Sequence, residues 1–308
     1  MLIILTAAFF MAWAIGANDS AKAVGTAVGV GMIGFRRAVL IIAVFTSLGA
    51  LLGGSAVSGT VSGLASGLSW GDVVLVLLSA ALAVTIASLW GNPISTTQSI
   101  IGALVGASLA VGLSVDWLTV AKIVLAWFFS PLLAGLLAIG TYALYKPLLR
   151  RIKCLRNLEL TQKWLVFLAS AYAAFNLGTN ELANVVGLSE SHGADVRLFL
   201  ATSLAIGALT FSREVIMTVG KGIAPLGPTS AFASEFGAAL SVTLANLFAL
   251  PVSSGQAIVG AISGLALYKG EKVNKEVVAG IVKSWVRAPL SAGLIAYLLV
   301  RLFSAAGF

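Results

Sequence analysis

Gly16-Ala17-Asn18-Asp19-Ser20-Ala21-Lys22-Ala23-Val24-Gly25 returns 162 residues later as Gly178-Thr179-Asn180-Glu181-Leu182-Ala183-Asn184-Val185-Val186-Gly187. A second pair follows at an offset of 158: Pro93-Ile94-Ser95-Thr96-Thr97-Gln98-Ser99-Ile100-Ile101-Gly102 and Pro251-Val252-Ser253-Ser254-Gly255-Gln256-Ala257-Ile258-Val259-Gly260. Trp127 and Pro131 recur at the same spacing as Trp285 and Pro289. Three matches in one order, at nearly one offset, mark an internal duplication. The chain divides into a first transmembrane repeat over 1–145, a basic linker over 146–163 and a second repeat over 164–308.

The sequence around these motifs fixes the class. Of 308 residues 59% are hydrophobic and only 10% are charged, far below the roughly one quarter charged in soluble domains. Apolar runs fall near 2–32 (interrupted at the motif), 38–57, 72–90, 99–113 and 118–145, then near 164–186, 197–219, 231–250, 256–268 and 277–302. About 20 apolar residues span a bilayer, so the pattern is that of an all-α polytopic membrane protein. The alternating ten-residue segments of an outer-membrane barrel do not occur. Some runs are short enough to be half-helices.

If each run crosses once, 12 of the 19 basic residues gather on one side. They are Arg36, Arg37, the cluster from Lys146 to Lys163, Lys221, Lys269, Lys272 and Lys275. The positive-inside rule makes that side cytoplasmic and places both termini outside, in a multi-pass protein of the cell membrane. The net charge of +8 therefore reports orientation, and no nucleic-acid partner is expected. Five runs per half invert the second repeat relative to the first. Inverted-topology repeats with interrupted helices meeting near the midplane are the architecture of secondary transporters.

Ionisable groups inside apolar helices line pathways or bind ions, which singles out Asn18-Asp19 and Asn180-Glu181. Ser95, Thr96, Thr97 and Gln98, and likewise Ser253, Ser254 and Gln256, follow a proline and open a short helix. Such a start presents hydroxyls, amides and free backbone N–H groups to an anion. The single Cys154 and single His192 are a poor basis for catalysis, and no phosphate-cradling nucleotide loop is present; no enzyme activity and no cofactor are expected. His192 lies with Glu190 and Asp195 in a polar loop.

These duplicated motifs, together with Arg213-Glu214-Val215-Ile216-Met217-Thr218-Val219-Gly220-Lys221 and Phe232-Ala233-Ser234-Glu235, resemble the PiT family of inorganic phosphate transporters across essentially the whole chain. The resemblance implies a homodimeric symporter in the lipid bilayer that carries phosphate with sodium or protons. Some relatives carry sulfate, and a proton-coupled sulfate permease is the alternative within the family; a passive anion channel is the alternative outside it. The resemblance also implies an ion and phosphate centre at Asn18, Asp19, Asn180 and Glu181, with the two serine-rich segments holding the oxyanion and Glu235 serving cation coupling. Candidate cation ligands are Asn18, Asp19, Glu181, Asn184 and Glu235; candidate anion contacts are Asp19, Lys22, Ser95, Thr96, Thr97, Gln98, Asn180, Ser253, Ser254 and Gln256.

The sequence departs from the family pattern at several of these places. Lys22 stands where Asn is usual, as at Asn184, and Thr46 after Phe45 stands where a glutamate is usual. Gln98, Gln256 and Asn176 replace histidines, and Glu181 lengthens an aspartate. If the helix continues through the first motif, Asn18, Asp19 and Lys22 share a face. The Lys22 ammonium is then expected to pair with Asp19 in place of one coupling cation.

Overall fold

The computed structural model describes residues 2–189 and 192–306. Each half runs through the same series of helices. The first contains α1 (Leu2–Gly29), α2 (Phe35–Leu52), α3 (Ser55–Leu64), α4 (Trp70–Leu89), α5 (Thr96–Val111) and α6 (Trp117–Arg150). The second contains α7 (Leu155–Asn176), continued by a π turn (Leu177–Glu181) and α8 (Leu182–Val186). It goes on through α9 (Ala194–Phe211), α10 (Arg213–Met217) with a π turn (Thr218–Gly222), α11 (Pro228–Leu247), α12 (Ser254–Tyr268) and α13 (Lys275–Ala305). Helices α4, α5 and α6 begin 158 residues before α11, α12 and α13. Among the described residues, α1, α2, α4, α6, α9 and α13 are long and apolar enough to cross a membrane.

Local chemistry sets the boundaries. Ser69 and Asp72 form a reciprocal capping box at the start of α4, which satisfies two amides that the helix itself leaves free. Asp116 and Asn274 cap α6 and α13 through the amides of Thr119 and Val277. Arg197 closes the other end of α2, its Nη1 donating to Ala50 O at 2.6 Å and Gly53 O at 3.0 Å.

The halves interlock. Helix α13 packs on α5 and α12 packs on α6, so each short helix is held by the last long helix of the opposite half. Glycines make these crossings close. A Cβ at Gly102 would sit 2.2 Å from Pro289 O, and one at its repeat partner Gly260 would sit 2.2 Å from Pro131 O. Helices in membranes gain from such small-residue contacts because lipid tails offer no hydrophobic drive for association.

Two expectations change. Helix α1 is continuous through Gly16 and Asn18, because no proline blocks its ladder and neighbouring helices seal it on all sides. The chain breaks instead at 90–95 and 248–253, ahead of α5 and α12, and opens locally as a π turn at Leu177–Glu181. The stretch 146–163 is mostly helical, its Lys, Arg and Leu residues being good helix formers; only residues 151–154 join α6 to α7.

Candidate functional site

The motif asparagines fasten the two breaks. Asn18 Nδ2 donates to Ser88 Oγ and Asn92 O, both at 3.0 Å, while its Oδ1 accepts from Ile94 N at 3.0 Å. In the second half Asn180 Nδ2 donates to Asn246 Oδ1 at 2.5 Å and Leu250 O at 3.5 Å. Ser88 and Asn92 precede Asn246 and Leu250 by 158 residues, so the two anchors are repeat equivalents. Both asparagines are fully buried.

Each break leads into a capped helix start. Ser95 Oγ accepts from Gln98 N at 3.2 Å, and Ser253 Oγ accepts from Gln256 N at 3.3 Å. These two hydroxyls shape the helix ends. The first-turn amides of a helix lack intrahelical partners, so Thr96, Thr97 and Gly255 carry N–H groups suited to an anion.

The carboxylates lie against these starts. Lys22 Nζ donates to Asp19 Oδ1 at 2.5 Å and to Ile94 O at 2.8 Å, and Thr96 Oγ1 donates to Asp19 Oδ2. Across the repeat, Glu181 Oε1 accepts from Ser254 N at 3.0 Å. The halves are then stitched together: Asn184 Nδ2 donates to Thr97 Oγ1 at 3.1 Å, and Thr97 Oγ1 donates to Val252 O at 3.2 Å. The structure therefore brings Asp19, Lys22, Thr96, Thr97, Glu181, Asn184 and Ser254 to one buried centre, in three hydrogen-bonded groups of which Asn184–Thr97 joins the two repeats.

That centre is buried and incompletely satisfied. Exposure is 0% at Asp19, 3% at Lys22, 1% at Glu181 and 4% at Gln256. Among the described residues, Gln98 Oε1, Asn180 Oδ1, Glu181 Oε2, Asn184 Oδ1, Ser254 Oγ and Gln256 Oε1 are buried atoms without a hydrogen-bond partner. Buried polar atoms are normally paired, and leaving one unpaired costs about 1–3 kcal/mol. The unpaired oxygens on the two repeated motifs are candidate contacts for a polar or charged ligand.

Glu235 lies apart from this centre. Its carboxylate accepts from Ala27 N at 3.2 Å and Ser170 Oγ at 2.6 Å. Ala27 is five residues beyond Lys22 on α1, about 7.5 Å along the helix. Lys283, Arg287, Arg213 and His192 are exposed, and Glu190 falls outside the described residues. Two contacts go unread in the sequence, where Trp127 figures only as a repeat match and Ser284 not at all. Trp127 Nε1 donates to Pro251 O at 3.1 Å, and Ser284 Oγ donates to Pro93 O at 3.2 Å, so a residue from each last long helix steadies the opposite break. The recurrence of Trp127 as Trp285 was the available signal.

The chain matches the profile of the phosphate transporter family twice, over residues 15–162 and 150–296. It is 30% identical to a Pyrococcus furiosus protein named provisionally as a phosphate permease, with 98% of this chain and 95% of that protein covered. A Methanocaldococcus jannaschii protein of the same provisional name is also 30% identical, with 97% and 96% covered. Among solved structures, that of a protein described as "The sodium-dependent phosphate transporter" aligns with a TM-score of 0.86 at 26% identity, covering 99% of this chain and 98% of that one. Duplicated motifs, interlocked repeats and these matches along the whole chain agree, and the chain belongs to the phosphate transporter family.

Proposed function

We propose that the chain is a secondary active transporter that imports inorganic phosphate by symport with sodium, and that its two repeats rearrange about the shared centre to open it to each side in turn. The observation that carries this reading is the meeting of two helix starts with two buried motif carboxylates. The helix starts supply neutral N–H and O–H donors, which hold an oxyanion without a fixed counter-charge. Glu181, Asn184 and Ser254 supply oxygens for a cation. Likeness to a solved transporter that is itself sodium-dependent favours sodium over protons as the coupling ion.

Phosphate is favoured over sulfate by proton chemistry. Both oxygens of Asp19 are engaged, by Lys22 and Thr96, whereas Gln98 Oε1 and Gln256 Oε1 on the two helix starts are buried acceptors without a partner. A monohydrogen phosphate has a proton to donate to such an oxygen, and sulfate at neutral pH has none. The rest of the reading places the chain in the cell membrane with both termini outside, by the distribution of basic loops, and as a homodimer, by family resemblance.

Uptake of radiolabelled phosphate into proteoliposomes tests this. We expect an inward sodium gradient to drive accumulation above the external concentration, with excess sulfate failing to suppress it. Accumulation driven only by a proton gradient overturns sodium coupling, suppression by sulfate makes sulfate the substrate, and equilibration without accumulation makes the protein a passive channel.

A further inference from the structure

The two halves hold the same set of groups, and they differ at one position that carries charge. Asp19, Lys22, Ile94, Thr96 and Thr97 correspond to Glu181, Asn184, Val252, Ser254 and Gly255. In the first half the Lys22 ammonium lies between a carboxylate oxygen and a backbone carbonyl, at 2.5 and 2.8 Å. In the second half the equivalent Glu181 Oε2, Asn184 Oδ1 and Ser254 Oγ are buried oxygens with no partner, and among the described residues no basic side chain pairs with Glu181. The geometry points to Lys22 as a resident cation: its ammonium stands in the first repeat where the second repeat takes a coupling ion from solution. The transporter then carries one coupling cation fewer than its two-fold plan accommodates. This inference rests on the symport reading above.

A second difference accommodates the first. The Lys22 side chain crosses to the opposite half, and a Cβ built on Gly255 would lie 2.9 Å from Lys22 Cε. The first repeat has Thr97 at the matching position. Gly255 leaves room for the lysine stem, so a threonine there is compatible with asparagine at 22 and crowds lysine. The charge balance agrees. Asp19 and Lys22 form a neutral buried pair, as buried ions require, while Glu181 remains to be neutralised by a mobile cation.

The test counts ions. With the membrane potential clamped at zero, each sodium carried multiplies the limiting phosphate accumulation about tenfold across a tenfold sodium gradient. We expect Lys22→Asn, alone or with Gly255→Thr, to raise the limit about a further tenfold over wild type. Equal limits in variant and wild type overturn the inference while leaving symport intact. Failure of the wild type to accumulate phosphate under any gradient overturns the symport reading instead.

A binding measurement covers the case in which Lys22→Asn does not fold. Sodium raises the melting temperature of the protein it binds, with a slope against log sodium that grows with the number of ions bound. The double variant Asp19→Asn with Lys22→Gln removes both charges together. If Lys22 is the resident cation, its slope equals that of wild type. A shallower slope means that Asp19 binds sodium in the wild type and contradicts the inference.

Discussion

Asn18 and Asn180, one on each repeat, donate to positions that are themselves repeat equivalents: Ser88 and Asn92 for the first, Asn246 and Leu250 for the second. Each ties a long helix to the break that precedes a short one. The motif asparagines thus position the helix starts at which the anion would bind. Asn18→Ala leaves the buried Ile94 N–H unpaired, and Asn180→Ala leaves the half-buried Asn246 Oδ1 without its donor. The cost is about 1–3 kcal/mol apiece, read as a lower melting temperature, with phosphate uptake reduced because the start of α5 or α12 is no longer fixed.

Breaking the Asp19–Lys22 pair from one side strands a buried charge. Asp19→Asn leaves the Lys22 ammonium without its carboxylate, at a cost of about 3–5 kcal/mol. Asp19→Asn combined with Lys22→Gln costs much less than the sum of the single changes, because no unpaired charge remains. Equilibrium unfolding in detergent gives the three numbers, and additive effects contradict the pairing.

The glycine crossings separate sharply in their tolerance. At Gly102 and Gly260 the backbone of the facing helix leaves no room for a side chain, so Gly102→Leu or Gly260→Leu costs at least about 1–3 kcal/mol and prevents the tight seating of α5 or α12. Gly59 in α3 has nothing within 4 Å of its Cβ position. Gly59→Ala is expected to be neutral or stabilising by up to about 1 kcal/mol. Expression level and melting temperature distinguish these variants.

Trp127 reaches across from α6 to Pro251 O. Trp127→Phe keeps the ring and loses the donor, at about 0.5–1.5 kcal/mol. Its uptake defect should exceed that of Trp285→Phe, since among the described residues no indole hydrogen bond anchors the equivalent carbonyl; Ser284 does so instead. Initial uptake rates of the two variants decide this.

Much of this arrangement was legible in the sequence because duplication writes the same residues twice. The offsets of 162 and 158 exposed the repeats, the apolar runs exposed the helices, and Pro-x-Ser placed the starts of α5 and α12. Continuity of α1 was not legible: Gly16 and Gly25 weaken a helix in isolation, yet their close packing against Leu204 and Val219 turns both into contact points. Nor could local sequence reveal that Lys22 reaches Ile94 O and Gly255, 72 and 233 residues away. Such partners are set by tertiary approach. The distance of Glu235 from the centre was hidden for the same reason, since its place depends on where α11 meets α1.

On the symport reading, one buried centre binds the anion and the cation together. Calorimetric titration of phosphate into the purified protein, in sodium and in choline buffers of equal ionic strength, tests it most directly. Coupled sites change each other's affinity by the same factor, typically about 5–150-fold. Sodium is expected to tighten phosphate binding within that range, and Glu181→Gln to abolish the effect. Equal phosphate affinity in the two buffers would contradict it.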